Sequence, residues 1–221
     1  AIGSFVILRR MALVGDALSH VALPGIALAL LIGIDPFWGL LVFLLGGAAL
    51  VGYLEIRSKL PIEALVGLLF TASLAIGILA IPDTELIESL FGEFPALGNA
   101  AFFATVIAAF LIAFFAFFFA RRFLFTTVSS DLAKVAGIGE SSNLLLLVIF
   151  SFAVALGIKL VGALLMGALT IIPAAVAKNI SRGIGPYMAL STIFGGAIGA
   201  GGFLIATSLG FLPGPTIVLF G

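Results

Sequence analysis

The feature that most constrains this chain is a series of apolar runs, each of about 20 residues, separated by short polar or proline-containing breaks. A helix rises about 1.5 Å per residue, so a run of this length crosses the roughly 30 Å hydrocarbon core of a bilayer. A helix also satisfies its backbone hydrogen bonds internally, as lipid requires. The runs therefore predict an all-α fold, a polytopic membrane helical bundle.

The runs predict about seven complete transmembrane helices. The longest run, 143–178, would be about 54 Å long as one helix, so we expect two crossings with a break at Gly157-Ile158-Lys159. Small residues in the third run, Ser73 and Gly77 among them, predict a packed inner helix. The predicted crossings are 11–33, 37–54, 62–81, 100–120, the two parts of 143–178, and 186–209. Because the chain opens and closes inside apolar segments, we expect a truncated helix at each end.

The composition excludes several classes of protein. Of the 221 residues, 63% are hydrophobic and 9% are charged, against about 25% charged in soluble domains. The mean hydropathy is +1.39. Ten basic and ten acidic residues leave no net charge, so a nucleic-acid-binding surface is not indicated. There is no Cys, so any metal must be held by oxygen and imidazole ligands.

The charged residues predict the orientation. The positive-inside rule is satisfied by one arrangement, because the basic residues fall on alternate breaks and the acidic loop 82–99 falls between them. Lys159 is the exception, and it either snorkels to an interface or repels cations near a gate. The arrangement puts the longest polar interval, 123–142, in the cytoplasm. The basic residues concerned are Arg9, Arg10, Arg57, Lys59, Arg121, Arg122, Lys134, Lys178 and Arg182.

Two ionisable residues lie inside the first complete run. Asp16 and His20, the only His, are four residues apart, which places them on one helix face, one turn apart. If Arg9 and Arg10 mark the membrane surface, Asp16 lies about 9 Å deep and His20 about 15 Å deep. Charge at that depth is costly unless it is compensated, which favours a functional site. The residues alone leave three roles open: a buried polar contact between helices, metal ligation, or a proton relay.

The run from Arg9 to Gly25, read as RRMALVGDALSHVALPG, resembles the signature of the membrane permeases of zinc/manganese/iron-type metal-ion ABC transporters. The resemblance covers essentially the whole chain. It continues in order through GLLFTASLAIG from Gly67, LFG from Leu90, KLVGALL from Lys159, LTIIPAAVA from Leu169 and PGPTIVL from Pro213. It implies a single permease domain over residues 1–221, in the cytoplasmic membrane.

The resemblance also implies roles for particular residues. In the family, the acidic residue and the His of the first motif lie on the translocation path and are implicated in cation coordination; they correspond to Asp16 and His20. The family's cytoplasmic loop docks on the ATPase, and its pattern fits Asp131, Ala133 and Gly137, within a coupling segment at about 126–140. The implied partners are a second copy of the permease, cytoplasmic ATP-binding subunits and an extracytoplasmic metal-binding protein.

These observations combine into one hypothesis. The chain is a permease subunit that moves zinc, manganese or iron, with no permanently bound cofactor and no enzymatic activity of its own. No Walker A motif is present in the sequence, so ATP hydrolysis is expected in a separate subunit. Two alternatives stay open: a proton-coupled secondary carrier using Asp16 and His20, and an intramembrane metal-dependent hydrolase. The hydrolase lacks a further ligand motif such as HExxH.

Overall fold

A computed structural model describes residues 2–9, 12–58, 62–81, 99–128 and 139–221, together with Leu60 and Leu90. Over these ranges the chain forms ten helices and no strand, which confirms the all-α prediction. In chain order the helices are α1 (Ile2–Leu8), α2 (Ala12–Ile32), α3 (Pro36–Arg57), α4 (Ile62–Ala80), α5 (Asn99–Phe118), α6 (Ala120–Val128), α7 (Gly139–Val161), α8 (Ala163–Ile180), α9 (Ile184–Leu209) and α10 (Pro213–Phe220).

The seven long helices follow the predicted crossings one for one. Length and hydropathy alone identify fewer spans among the described residues: α3 and α9 qualify, and α5 with α6 qualifies as one span bent by 50°. The apolar parts of α2, α4, α7 and α8 are shorter, at 10–17 residues each. The number of seven crossings therefore stays a prediction.

The break in the longest apolar run lies three residues later than predicted. The helix continues through Gly157 to Val161, and the chain turns at Gly162, whose φ of 83° favours glycine. Gly157 lies against the side chain of Met166 in α8, where an added Cβ would be 2.1 Å from the sulfur. Gly157 therefore serves close packing between α7 and α8, and the predicted break at 157–159 was wrong.

The polar interval predicted over 123–142 is partly helical. Residues 120–128 form α6, and α7 begins at Gly139. The interval that separates them is 129–138, which lies outside the described residues. The prediction of a loop was therefore too long on both sides, because hydroxyl side chains such as Thr126 bond to carbonyls of their own helix instead of ending it.

Helix α2 lies at the centre of the bundle. Residues 17–27 are all buried, so this part of the helix is covered on every side. It packs against α1, α3, α4, α7 and α8. By contrast, α4 packs one face on α2 and exposes the other, where Leu68 and Leu79 are 67% and 88% exposed. The prediction that α4 is an inner helix was therefore wrong for a single copy.

The contacts between helices show which residues lie at each end of the bundle. One end holds Arg9, which bonds to Thr126 and Thr127 near the end of α6. The opposite end of α2 leads to Asp35, and there the Lys159 ammonium lies 5.5 Å from the centre of the Phe37 ring. Lys159 is exposed. It therefore lies at the end of the bundle opposite Arg9, as the interface interpretation requires.

Candidate functional site

The backbone of α2 gives Asp16 and His20 the relation that the sequence predicts. Both belong to one continuous helix, four residues apart, so their Cα atoms lie on one face, about 6 Å apart along the axis. The side chain of Asp16 lies outside the described part of the structure. His20 is described, and its side chain is 5% exposed.

His20 faces helix α4. Its ring meets the ring of Phe70 edge to face, with the centroids 4.9 Å apart and the planes at 84°. This geometry is a favourable one for two aromatic rings, because the positive edge of one meets the negative face of the other. His20 is therefore held inside a single copy of the chain and is not directed at lipid.

The residues of α4 that lie against α2 near His20 belong to a single helix face. Phe70, Ser73 and Gly77 follow the i, i+3, i+7 spacing of one helix face. An added Cβ at Gly77 would lie 2.6 Å from Cβ of Leu23, so this part of α4 lies directly against α2. Ser73, between the two contacts, is 6% exposed. Its hydroxyl is an oxygen group within the same packed interface.

Glycines bring α2 and α3 into backbone contact about one and a half turns beyond His20. An added Cβ at Gly25 would lie 2.4 Å from the carbonyl oxygen of Gly39, and one at Gly39 would lie 2.1 Å from that of Gly25. Both distances are shorter than any side chain allows, so only glycine permits this approach. The contact fixes how closely the backbones of α2 and α3 approach each other.

Pro24 lies four residues after His20, inside α2. A proline has no N–H, so the backbone hydrogen bond that normally joins these two positions of a helix cannot form. The helix nevertheless continues to Ile32. Burial of residues 17–27 by five neighbouring helices is what holds α2 together through this point.

Among the described residues, no three or more His, Asp, Glu or Cys side chains lie close enough together to hold a metal ion. The described part of one copy therefore offers His20 as a ligand, with Asp16 one turn away along the backbone. The predicted coupling residues Asp131, Ala133 and Gly137 lie in the interval 129–138, outside the described residues.

Comparison with known proteins identifies the family. The model of the ABC 3 transport family matches residues 1–221. The chain belongs to this family. It is 32% identical over 224 residues to the manganese import system permease protein ScaB of Streptococcus parasanguinis, covering 99% of this chain and 80% of that protein. It is 30% identical over 224 residues to the high-affinity zinc uptake system membrane protein ZnuB of Haemophilus influenzae, covering 99% and 86%.

A solved structure agrees with this assignment. PsaBC from Streptococcus pneumoniae in complex with Fab contains a chain that is 32% identical to this permease, with a TM-score of 0.85. The match covers 99% of this chain and 81% of that one. The recognition of an ABC permease from sequence is therefore confirmed, and so is the multi-pass location in the cytoplasmic membrane. The relatives named here are transport subunits, as the prediction that the chain is not an enzyme requires.

The sequence analysis missed Phe70 as a neighbour of His20. The motif from Gly67 to Gly77 was matched to the family without a role for any of its residues. The spacing of Phe70, Ser73 and Gly77 was the available signal, because a small residue and an aromatic on one face indicate a packed surface. Only the tertiary structure shows that this surface lies on α2 at the level of His20.

Proposed function

We propose that the chain is the membrane permease of an ATP-driven importer of manganese or zinc. Its ABC family and its manganese- and zinc-transporting relatives support this function. These relatives are named for manganese and zinc, and neither is named for iron. The proton-coupled carrier is not favoured either, because ABC transporters use ATP.

We propose Asp16 and His20 as the ligands that hold the ion during its passage. The observation that carries the proposal is the position of His20, the only imidazole of the chain, in the buried centre of the bundle. A carboxylate and an imidazole on adjacent turns of one helix suit zinc and manganese. The ion is cargo and is bound only transiently.

A second copy of the permease would complete the site. One copy supplies two ligands, whereas zinc sites in proteins usually have three or four protein ligands. Two copies related by a twofold axis would supply four. Because His20 is 5% exposed in one copy, with the Phe70 ring against it, a shared site requires that His20 becomes accessible during the transport cycle.

We assign energy coupling to the segment at about 126–140, within a single permease domain over residues 1–221. Its ends lie at the same end of the bundle as Arg9, the end that the charge pattern predicts to be cytoplasmic. Asp131, Ala133 and Gly137 would contact a cytoplasmic ATP-binding subunit. An extracytoplasmic metal-binding protein would deliver the ion to the other end.

Uptake of manganese and of zinc by the full importer in proteoliposomes tests the site. We expect Asp16→Asn and His20→Gln each to reduce uptake at least about ten-fold, because losing even a residue that only supports a ligand typically costs that much affinity. Asp35→Asn is the matched control. Asp35 accepts a hydrogen bond from the backbone N–H of Phe37 at 2.8 Å, and Asn caps a helix equally well.

Chemical modification gives a second, independent measurement. His20 is the only His, so diethylpyrocarbonate modification mapped by mass spectrometry, on protein with a histidine-free tag, reports this residue. We expect manganese to slow modification in the turning-over importer.

Wild-type uptake by both the Asp16 and His20 variants would refute the proposed site. Uptake by vesicles lacking the ATPase would refute the ATP-driven function.

A further inference from the structure

One guanidinium group joins the end of α1 to α6. Arg9 Nε donates to Thr127 Oγ1 at 3.1 Å, and Nη2 donates to the carbonyl oxygen of Phe123 at 3.3 Å and to Thr126 Oγ1. A guanidinium carries five N–H donors in a fixed planar fork, so one side chain can hold several acceptors together. Arg9 thus fixes the position of α6 relative to α1.

The same contacts reach the helix on the far side of the coupling segment. Thr126 Oγ1 lies 3.5 Å from Ser142 Oγ of α7, and both side chains are buried. Thr126 precedes the interval 129–138 and Ser142 follows it. The Arg9 cluster, which comprises Arg9, Thr126, Thr127 and Ser142, therefore connects both flanks of this interval to α1.

Helix α1 leads directly to the proposed metal site. Arg9 is seven residues before Asp16 in the sequence, with only residues 9–11 between α1 and α2. Phe5 of α1 also packs edge to face on Phe123 of α6, with the ring centroids 5.3 Å apart. Apolar packing and the hydrogen bonds of Arg9 therefore both join α6 to α1, the helix that precedes α2 in the chain.

The hydroxyl groups of the Arg9 cluster can lose Arg9 at low cost. Thr126 Oγ1 lies within hydrogen-bonding distance of the carbonyl oxygens of Phe123 and Arg122, at 2.9 and 3.3 Å. Thr127 Oγ1 donates to the Phe123 carbonyl at 2.6 Å. Since these hydroxyls keep partners in their own helix, departure of Arg9 leaves neither of them unsatisfied. A substitution of Arg9 therefore tests the link between α1 and α6 without leaving a hydroxyl of α6 without a partner.

We propose that Arg9 is a positioning residue that transmits movement of the coupling segment to α2, and so determines how many ions move per ATP hydrolysed. The inference rests on the proposed function, because it requires an ATPase subunit bound to residues 126–140. The side chain acts through α1 and does not touch the ion.

The full importer in proteoliposomes tests this role, with manganese uptake and ATP hydrolysis measured on the same preparation. We expect Arg9→Gln to lower the number of ions per ATP about five-fold or more, the lower bound of typical coupling between two sites, while ATP hydrolysis continues. Arg9→Lys keeps the charge without the planar fork and should restore the ratio only in part.

Thr126→Val tests the other side of the contact, and Thr207→Val is its matched control. Both hydroxyls lie against carbonyls three and four residues earlier in their own helix, but Thr207 is exposed on α9. We expect Thr126→Val to lower the ratio and Thr207→Val to leave it unchanged. If Arg9→Gln fails to assemble, the comparison of these two variants decides the question.

A purely structural role of Arg9 predicts a different result. Arg9→Gln would then reduce the amount of folded importer, but the ions per ATP of the assembled fraction would equal the wild-type value; that outcome overturns the inference. Asp131→Ala separates it from the proposed function. If Asp131→Ala lowers the ratio and the Arg9 and Thr126 variants do not, only the role of Arg9 is wrong. If Asp131→Ala also has no effect, the coupling segment is wrong and the inference falls with it.

Discussion

The contact between Gly25 and Gly39 gives a quantitative prediction for the packing of α2 against α3. In Gly39→Ala the new Cβ would lie 2.1 Å from the Gly25 carbonyl oxygen, 0.9 Å inside the 3.0 Å that real Cβ atoms keep. The obstacle is backbone, so the two helices must separate by about that distance. Overpacking of this kind typically costs about 1–3 kcal/mol.

Gly46→Ala in the same helix is the matched control. Nothing lies within 4 Å of the Cβ it would add, so only helix propensity changes, which favours Ala by up to about 1 kcal/mol. Since Gly39→Ala gains the same propensity, the variants should differ by the whole overpacking cost. Titration of both with SDS in mixed micelles measures the free energies of unfolding.

Transport provides the second readout for this contact. Because Gly25 lies five residues after His20 on α2, we expect Gly39→Ala to lower metal uptake and Gly46→Ala to leave it unchanged. Equal free energies of unfolding for the two variants would refute the reasoning, since the Cβ added at Gly39 meets α2 at Gly25 and Ala29, whereas the one added at Gly46 meets nothing.

Two further predictions concern residues around the site and at the end of the bundle. Phe70→Ala removes the ring that contacts His20 and should speed diethylpyrocarbonate modification of His20 several-fold. It should also lower the free energy of unfolding by roughly 1–2 kcal/mol, as loss of a half-buried aromatic contact predicts. An unchanged modification rate would show that Phe70 does not limit access to His20. Lys159→Gln should change the free energy of unfolding by less than about 1 kcal/mol, because the contact of Lys159 with Phe37 is an exposed cation–π pair. Metal uptake should stay at the wild-type level. Abolished uptake would instead favour a role of Lys159 at a gate.

Much of the fold could be predicted because a bilayer requires its spanning segments to be helices of similar length, about 20 apolar residues each. The bounds predicted for α2, at 11–33, differ from the observed Ala12–Ile32 by one residue at each end. Positions that depend on a neighbour were predicted less well. Gly157 was expected to break a helix, but in the structure it accommodates Met166. Sequence cannot distinguish these roles, because a glycine provides conformational freedom in one and space in the other.

The sequence alone determined that the chain is a helical membrane permease and singled out Asp16 and His20. An ionisable pair inside an apolar run stands out without any knowledge of packing, since its cost depends on the bilayer and not on the neighbours. Only the tertiary structure decided that α2 lies in the centre, that Phe70 covers His20, and that Arg9 meets Thr126. These contacts join residues 50 and 117 positions apart, and no local pattern specifies which helix faces meet.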